Sequence, residues 1–272
     1  MTLRDGNRSA VGYLLGMLFG SLLLLGDSLT AGARAEVGGH AGVGYPEHLA
    51  AILTATTENE WQPLNKGISG QTIRQIADRA PTAFREVVAY AGPRWAVFLA
   101  GTNDAKHPGV PLDEWEMLYR QSVGWGRRAA VPLALCTFPP VVAGSMPAFG
   151  PNVQAWLDHA SERVRRLVAE LDGKPSPVVL VELSDMPTSL LCDGVHLTPV
   201  GYRAMAIRVA DALRFIPVRT WEDIIREATE WSTGANRSRV GRLASEGELC
   251  ELSPRRARKS KKDREAEKRA SA

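Results

Sequence analysis

Four consecutive leucines, Leu22 to Leu25, run straight into Gly26-Asp27-Ser28, and that junction constrains the fold more than any other feature of the chain. An amphipathic helix would break the run with polar residues, and a half-buried strand would alternate. A short, unbroken apolar run that stops at turn residues reads as a strand buried on both faces, as in a parallel sheet. The pattern returns along the sequence. Residues 95–100 (WAVFLA) end in Gly101-Thr102-Asn103-Asp104, residues 131–137 (VPLALCT) end at Phe138-Pro139-Pro140, and residues 178–183 (VVLVEL) form another run. A shorter segment spans 61–65. Between these lie stretches of helical spacing: residues 45–53 with Pro46 near the first turn, a face of Ile73, Ile76 and Ala80, Leu112–Arg128, residues 152–171, and about 200–215. Five buried strands alternating with helices predict an α/β fold, a doubly wound parallel sheet covered on both faces.

The N-terminus imitates something else. An uncharged stretch from Ser9 to Gly26, followed by Ala33-Arg34-Ala35, has the outline of a secretory signal with its cleavage site. Cleavage there would discard the Gly26-Asp27-Ser28 turn, so the reading adopted is a first strand preceded by an apolar extension, with no processing at Ala35. Glycines at 12, 16 and 20 weaken a membrane-anchor reading, and membrane association is not favoured. The domain reading is an extension over 1–20, a main domain over 21–217, a candidate terminal helix over 218–233 and a basic tail over 234–272.

That tail accounts for the net charge of +3. Residues 236–272 carry 12 Lys and Arg against 6 Asp and Glu, whereas residues 1–235 carry 21 against 24. The basic character belongs to a polar end, read as solvated and disordered, and the body offers no argument for a nucleic-acid-binding core. Three widely spaced cysteines (136, 192, 250) make neither a disulfide framework nor a metal spacing. A reducing, cytoplasmic location is the expectation.

In open parallel sheets reactive groups gather at the carboxyl ends of strands. Three candidate loops lie there: Gly26-Asp27-Ser28-Leu29-Thr30, Gly101-Thr102-Asn103-Asp104 and Asp193-Gly194-Val195-His196. Ser28 follows a strand on a tight turn, and a serine hydroxyl becomes a nucleophile only when a base removes its proton. A neutral histidine is suited to that, and His196 is the best placed of five. Asp193, three residues earlier, can bond the other ring nitrogen and fix the tautomer. Each residue also has a plainer duty. Ser28 could cap a helix, Gly67 could supply a positive φ, Asn103 and Asp104 could form a turn, and His196 could belong to the core. His40, His48, His107 and His159 lack such company. Asp104 and His107 beside Asp193 and His196 fall one motif short of a metal site. Residues 67–70 lack the ending of a phosphate loop, and no G-x-S-x-G elbow is present.

Taken together, Ser28, Gly67, Asn103 and His196 with their flanking motifs resemble the GDSL esterase/lipase family, the SGNH hydrolases, in order and spacing over roughly residues 21–217. The resemblance implies a three-layer α/β/α sandwich with a five-stranded, flavodoxin-like parallel sheet. It implies carboxylic ester hydrolysis through an acyl-enzyme, with a Ser28-His196-Asp193 triad. The oxyanion hole would be the backbone N–H groups of Ser28 and Gly67 with the Asn103 amide, and no metal or organic cofactor is needed. The expected partner is a small-molecule, lipid or sugar ester, with no nucleic acid required. A catalytically silent glycan- or lipid-binding protein on the same fold is the alternative. The loop over 138–149 is apolar, which predicts either a hydrophobic wall beside Ser28 favouring short or medium acyl chains, or simply core cover.

Overall fold

The computed structural model describes residues 19–33, 43–106, 109–214 and 216–233. They all lie in one compact unit, Met1–Ala235; the second, Asn236–Ala272, lies outside the described residues, as do the candidate cleavage site and most of the apolar extension. Five strands, β1 (Phe19–Gly26), β2 (Glu60–Gly67), β3 (Arg94–Leu99), β4 (Leu133–Cys136) and β5 (Val178–Val181), form one sheet in the order β2-β1-β3-β4-β5. Every pairing is parallel. The helices are α1 (Ser28–Ala31), α2 (Tyr45–Thr56), α3 (Ile73–Val88), α4 (Leu112–Arg128), α5 (Val153–Leu171), α6 (Pro199–Leu213) and α7 (Trp221–Thr233).

The leucine run is the middle of β1, hydrogen-bonded on both edges and covered on both faces, so all four leucines are buried. Burying each contributes about 1.5–3 kcal/mol, which is why the strand tolerates no alternation. Helices α3, α4 and α5 pack in series on one side, and α2, α6 and α7 in series on the other. The three-layer sandwich is therefore the observed architecture. Among the described residues no helix is long and apolar enough to cross a membrane.

Two boundaries differ from the sequence reading. The segment at 61–65 is a full eight-residue edge strand, β2, paired along all of β1. Helix α3, read from its face of Ile73, Ile76 and Ala80, runs on through Pro81 to Val88. An interior proline costs about 3 kcal/mol. Ala83, Phe84 and Val87 beyond it are buried in the core, and their burial offsets that cost.

The strand order places the site. The chain leaves β1 for β2 on one side and then crosses back to β3 on the other, so the loops after β1 and β3 diverge and open a crevice. Register aligns the walls of this crevice, because Gly26 pairs with Gly67 in β2 and with Leu99 in β3.

Candidate active site

Ser28 opens the four-residue helix α1, and Asp27 precedes it as the N-cap, its Oδ1 accepting the Leu29 N–H at 3.0 Å. The capping duty considered for Ser28 thus belongs to its neighbour. As the first helical residue, Ser28 has an N–H with no intrahelical carbonyl to bond. Its hydroxyl is 3.0 Å from His196 Nε2. His196 Nδ1 is 2.8 Å from Asp193 Oδ2, while Asp193 Oδ1 accepts the N–H groups of Val195 (3.0 Å) and His196 (2.7 Å).

Local backbone makes this three-residue grip. Gly194 has φ +83°, a region that side chains rarely adopt, and it folds the chain back over the Asp193 carboxylate. The loop is pinned by Cys192 N–H to His196 O (2.8 Å) and by Val142 N–H to Gly194 O (2.8 Å). Thr198 then caps α6, with Pro199 at its start. Burial works to raise the Asp193 pKa, but the hydrogen bonds from His196 and Val195 outweigh it and hold the carboxyl below its usual range. An ionised Asp193 accepts only, so the hydrogen between it and His196 sits on Nδ1. Nε2 then presents its lone pair to the Ser28 hydroxyl.

Asn103 lies in the turn after β3, nearly buried, with its Nδ2 donating to the Gln71 carbonyl at 3.0 Å. That bond uses one amide hydrogen and orients the group, and the second hydrogen stays available on the same nitrogen. For Gly67 the plainer alternative, a positive φ, does not hold. Its φ is not positive, and a Cβ there would stand 2.1 Å from the Ala31 nitrogen, so a residue without Cβ lets β2 approach α1 closely. Its N–H donates to Asn65 Oδ1 at 2.9 Å.

Two acids sit behind these groups. Burial pushes Asp27 up to about 6, against the Leu29 N–H and the charges of His196 and Lys106. Burial pushes Asp104 up to about 7. Asp104 Oδ2 accepts the Ile73 N–H at 2.9 Å at the start of α3, and its other oxygen is buried without a partner. Asp104 thus caps the start of α3 and does not line the cavity described below; His107, imagined beside it, lies outside the described residues. His48 packs against Trp231 and burial lowers it to about 4. His159 bonds its own helix backbone. Among the described residues no group of three metal-ligating side chains gathers.

A cavity of about 300 Å³ joins the parts: Ser28, Thr102, Asn103, Met146, Phe149 and His196 line it, together with Ser69, Gly70 and Lys106. The loop over 138–149 is divided, because Met146 and Phe149 reach the cavity while Phe138 and Val141 are buried in the core. No local pattern announced the brace beneath. Arg79, from the middle of α3, donates to the Gly26 carbonyl at 2.8 Å and to Gln71 Oε1 at 2.7 Å. One guanidinium therefore ties the serine turn to the segment that orients Asn103.

Residues 24–204 match the model of the GDSL-like lipase/acylhydrolase family, which takes in all of these loops. The chain belongs to this family. Membership makes it an ester hydrolase by family. Solved structures with the same fold include an acetyl xylan esterase from Geobacillus stearothermophilus in variant form. It is 25% identical over 74% of this chain and 97% of its own, with a TM-score of 0.51. Another acetyl xylan esterase is 21% identical over 71% of this chain and 99% of its own (TM-score 0.54). A lipase/acylhydrolase from Enterococcus faecalis is 19% identical over 74% and 99% (TM-score 0.54). No match was found among curated protein sequences.

Proposed function

We propose that the chain cleaves carboxylic esters through an acyl-enzyme on Ser28. The observation that carries this is the continuous chain of hydrogen bonds from Ser28 Oγ through His196 to Asp193, at 3.0 and 2.8 Å. In the reaction, Ser28 Oγ attacks the ester carbonyl as His196 Nε2 takes its proton, and Asp193 stabilises the resulting imidazolium. The tetrahedral oxyanion is held by the Ser28 N–H and the free hydrogen of the Asn103 amide. Gly67 N–H is the third donor of this reading, and it joins by exchanging its bond to Asn65 Oδ1 for the oxyanion. His196 then protonates the departing alcohol, the acyl group stays on Ser28, and water activated by the same histidine releases the acid.

Met146 and Phe149 give the cavity an apolar wall, which supports acetyl and short or medium acyl groups as the part transferred. The test is labelling with a fluorophosphonate together with turnover of 4-nitrophenyl esters of graded length. Wild type is expected to label once, at Ser28, and Ser28→Ala to lose both label and turnover. A wild type that neither labels nor turns over any ester would replace this reading with that of a silent binding protein.

A further inference from the structure

We propose that Lys106 selects ester substrates that carry an anionic group, a carboxylate or a phosphate, on the acyl or the alcohol side. The inference rests on the hydrolase reading above and names the class of ester that the same cavity takes. Lys106 lines the cavity together with Ser28 and His196. It is not on a wandering loop, since Asp104 N–H and Ala105 N–H both bond the Gly101 carbonyl and Lys106 N–H bonds the Asn103 carbonyl (3.4 Å). This tight turn fixes the lysine relative to Asn103, the proposed oxyanion donor.

The side chain is half-buried and its ammonium lies 5.6 Å from the centroid of the buried Phe149 ring. A ring face attracts a cation but leaves its charge unneutralised. Among the described residues no carboxylate makes an ion pair with Lys106. Several other cations of the fold do have carboxylate partners, Lys66 with Glu86, Arg120 with Glu170 and Arg219 with Asp211. His196 is the only other titratable side chain among the described residues that line the cavity. The three nearby acids do not line it: Asp27 is wholly buried, Asp104 accepts the Ile73 N–H, and Asp193 is engaged by His196.

A half-buried lysine that no carboxylate contacts has its charge offset only through space, by the buried Asp27, and a substrate anion in the cavity would pair with it directly. The same contact is present before and during acyl transfer, so its effect falls on binding and is read in KM. Hydrogen bonds to charged groups correspond to roughly tenfold to a hundredfold in such a constant.

The experiment uses two matched pairs. On the acyl side, the 4-methylumbelliferyl monoester of adipic acid is compared with the hexanoate. On the alcohol side, 4-acetoxybenzoate is compared with its methyl ester. The readout is the ratio of kcat/KM for the anionic member to that for the neutral one. In the arm where the anion meets Lys106, Lys106→Met is expected to lower this ratio by about tenfold to a hundredfold through KM, and Lys106→Arg to restore most of it. Raising salt should shrink the wild-type ratio in that arm. A ratio indifferent to Lys106→Met in both arms, in an enzyme that still labels at Ser28, would overturn the inference alone. Absence of Ser28 labelling in the wild type would instead strike the hydrolase reading.

Discussion

Replacing Asp104 by asparagine should change how stability depends on pH, by an amount the structure allows one to work out. Asp104 is buried, with one oxygen committed to Ile73 N–H and the other without a partner. Burial is the main cause that lifts its pKa from the ordinary 3.8 to about 7, with the Asp27 charge adding to it. Between those two values the native protein keeps a proton that the unfolded chain has released. Stability therefore falls as pH rises from about 4 to about 7, and is level above that. A gap of this size corresponds to about 4 kcal/mol. An asparagine keeps an acceptor for Ile73 and does not titrate. Whatever fixed cost its amide brings is the same at every pH, so it cancels when the two proteins are compared at two pH values. Urea unfolding at intervals from pH 4 to pH 8 measures this directly. Relative to wild type, Asp104→Asn should gain about 4 kcal/mol on going from pH 4 to pH 8. Parallel curves for the two proteins would refute the reasoning, since they would mean that Asp104 carries the same proton occupancy folded and unfolded.

Two further outcomes follow from the site geometry. Asn103→Ala removes one proposed oxyanion donor while leaving Ser28 and His196 in place. It should lower kcat by about 10²–10³ with little change in KM, and a raised KM with kcat spared would make Asn103 a substrate-binding residue. Gly67→Ala forces a Cβ against the Ala31 backbone, so it should destabilise the fold by about 1–3 kcal/mol and slow acylation as α1 shifts; thermal melting and fluorophosphonate labelling rates check both, and a variant matching wild type in each would mean that β2 and α1 are free to separate.

What the sequence disclosed and what it hid divide along a physical line. Buried parallel strands declare themselves because every side chain on them must be apolar, and Leu22–Leu25 needs no partner to be read. The serine, asparagine and histidine loops were legible because each directly follows such a strand or opens a helix. The Asp27 cap could also have been found, since an acid directly before a helix start is a local signal. Its neighbour Ser28 competed for the same duty, and only geometry separates them.

The brace through Arg79 is of another kind. Its bond to Gly26 spans more than fifty residues and depends on which face α3 is packed against, a property of the crossover that no periodicity encodes. The same holds for Asn65, which occupies the Gly67 N–H from two residues away in a strand whose side chains were read only as strand. Asp104 is the sharpest instance. Beside Asn103 it reads as a turn former or a ligand, yet the second crossover, from β2 to β3, brings the start of α3 to it, and its carboxylate accepts the Ile73 N–H. Its missing second partner and its raised pKa then follow from burial, not from chemistry at the cavity. Functional identity was carried by residues that local structure must present at strand ends. The groups that hold those residues in place were chosen by tertiary packing, and their roles become visible only once the layers are assembled.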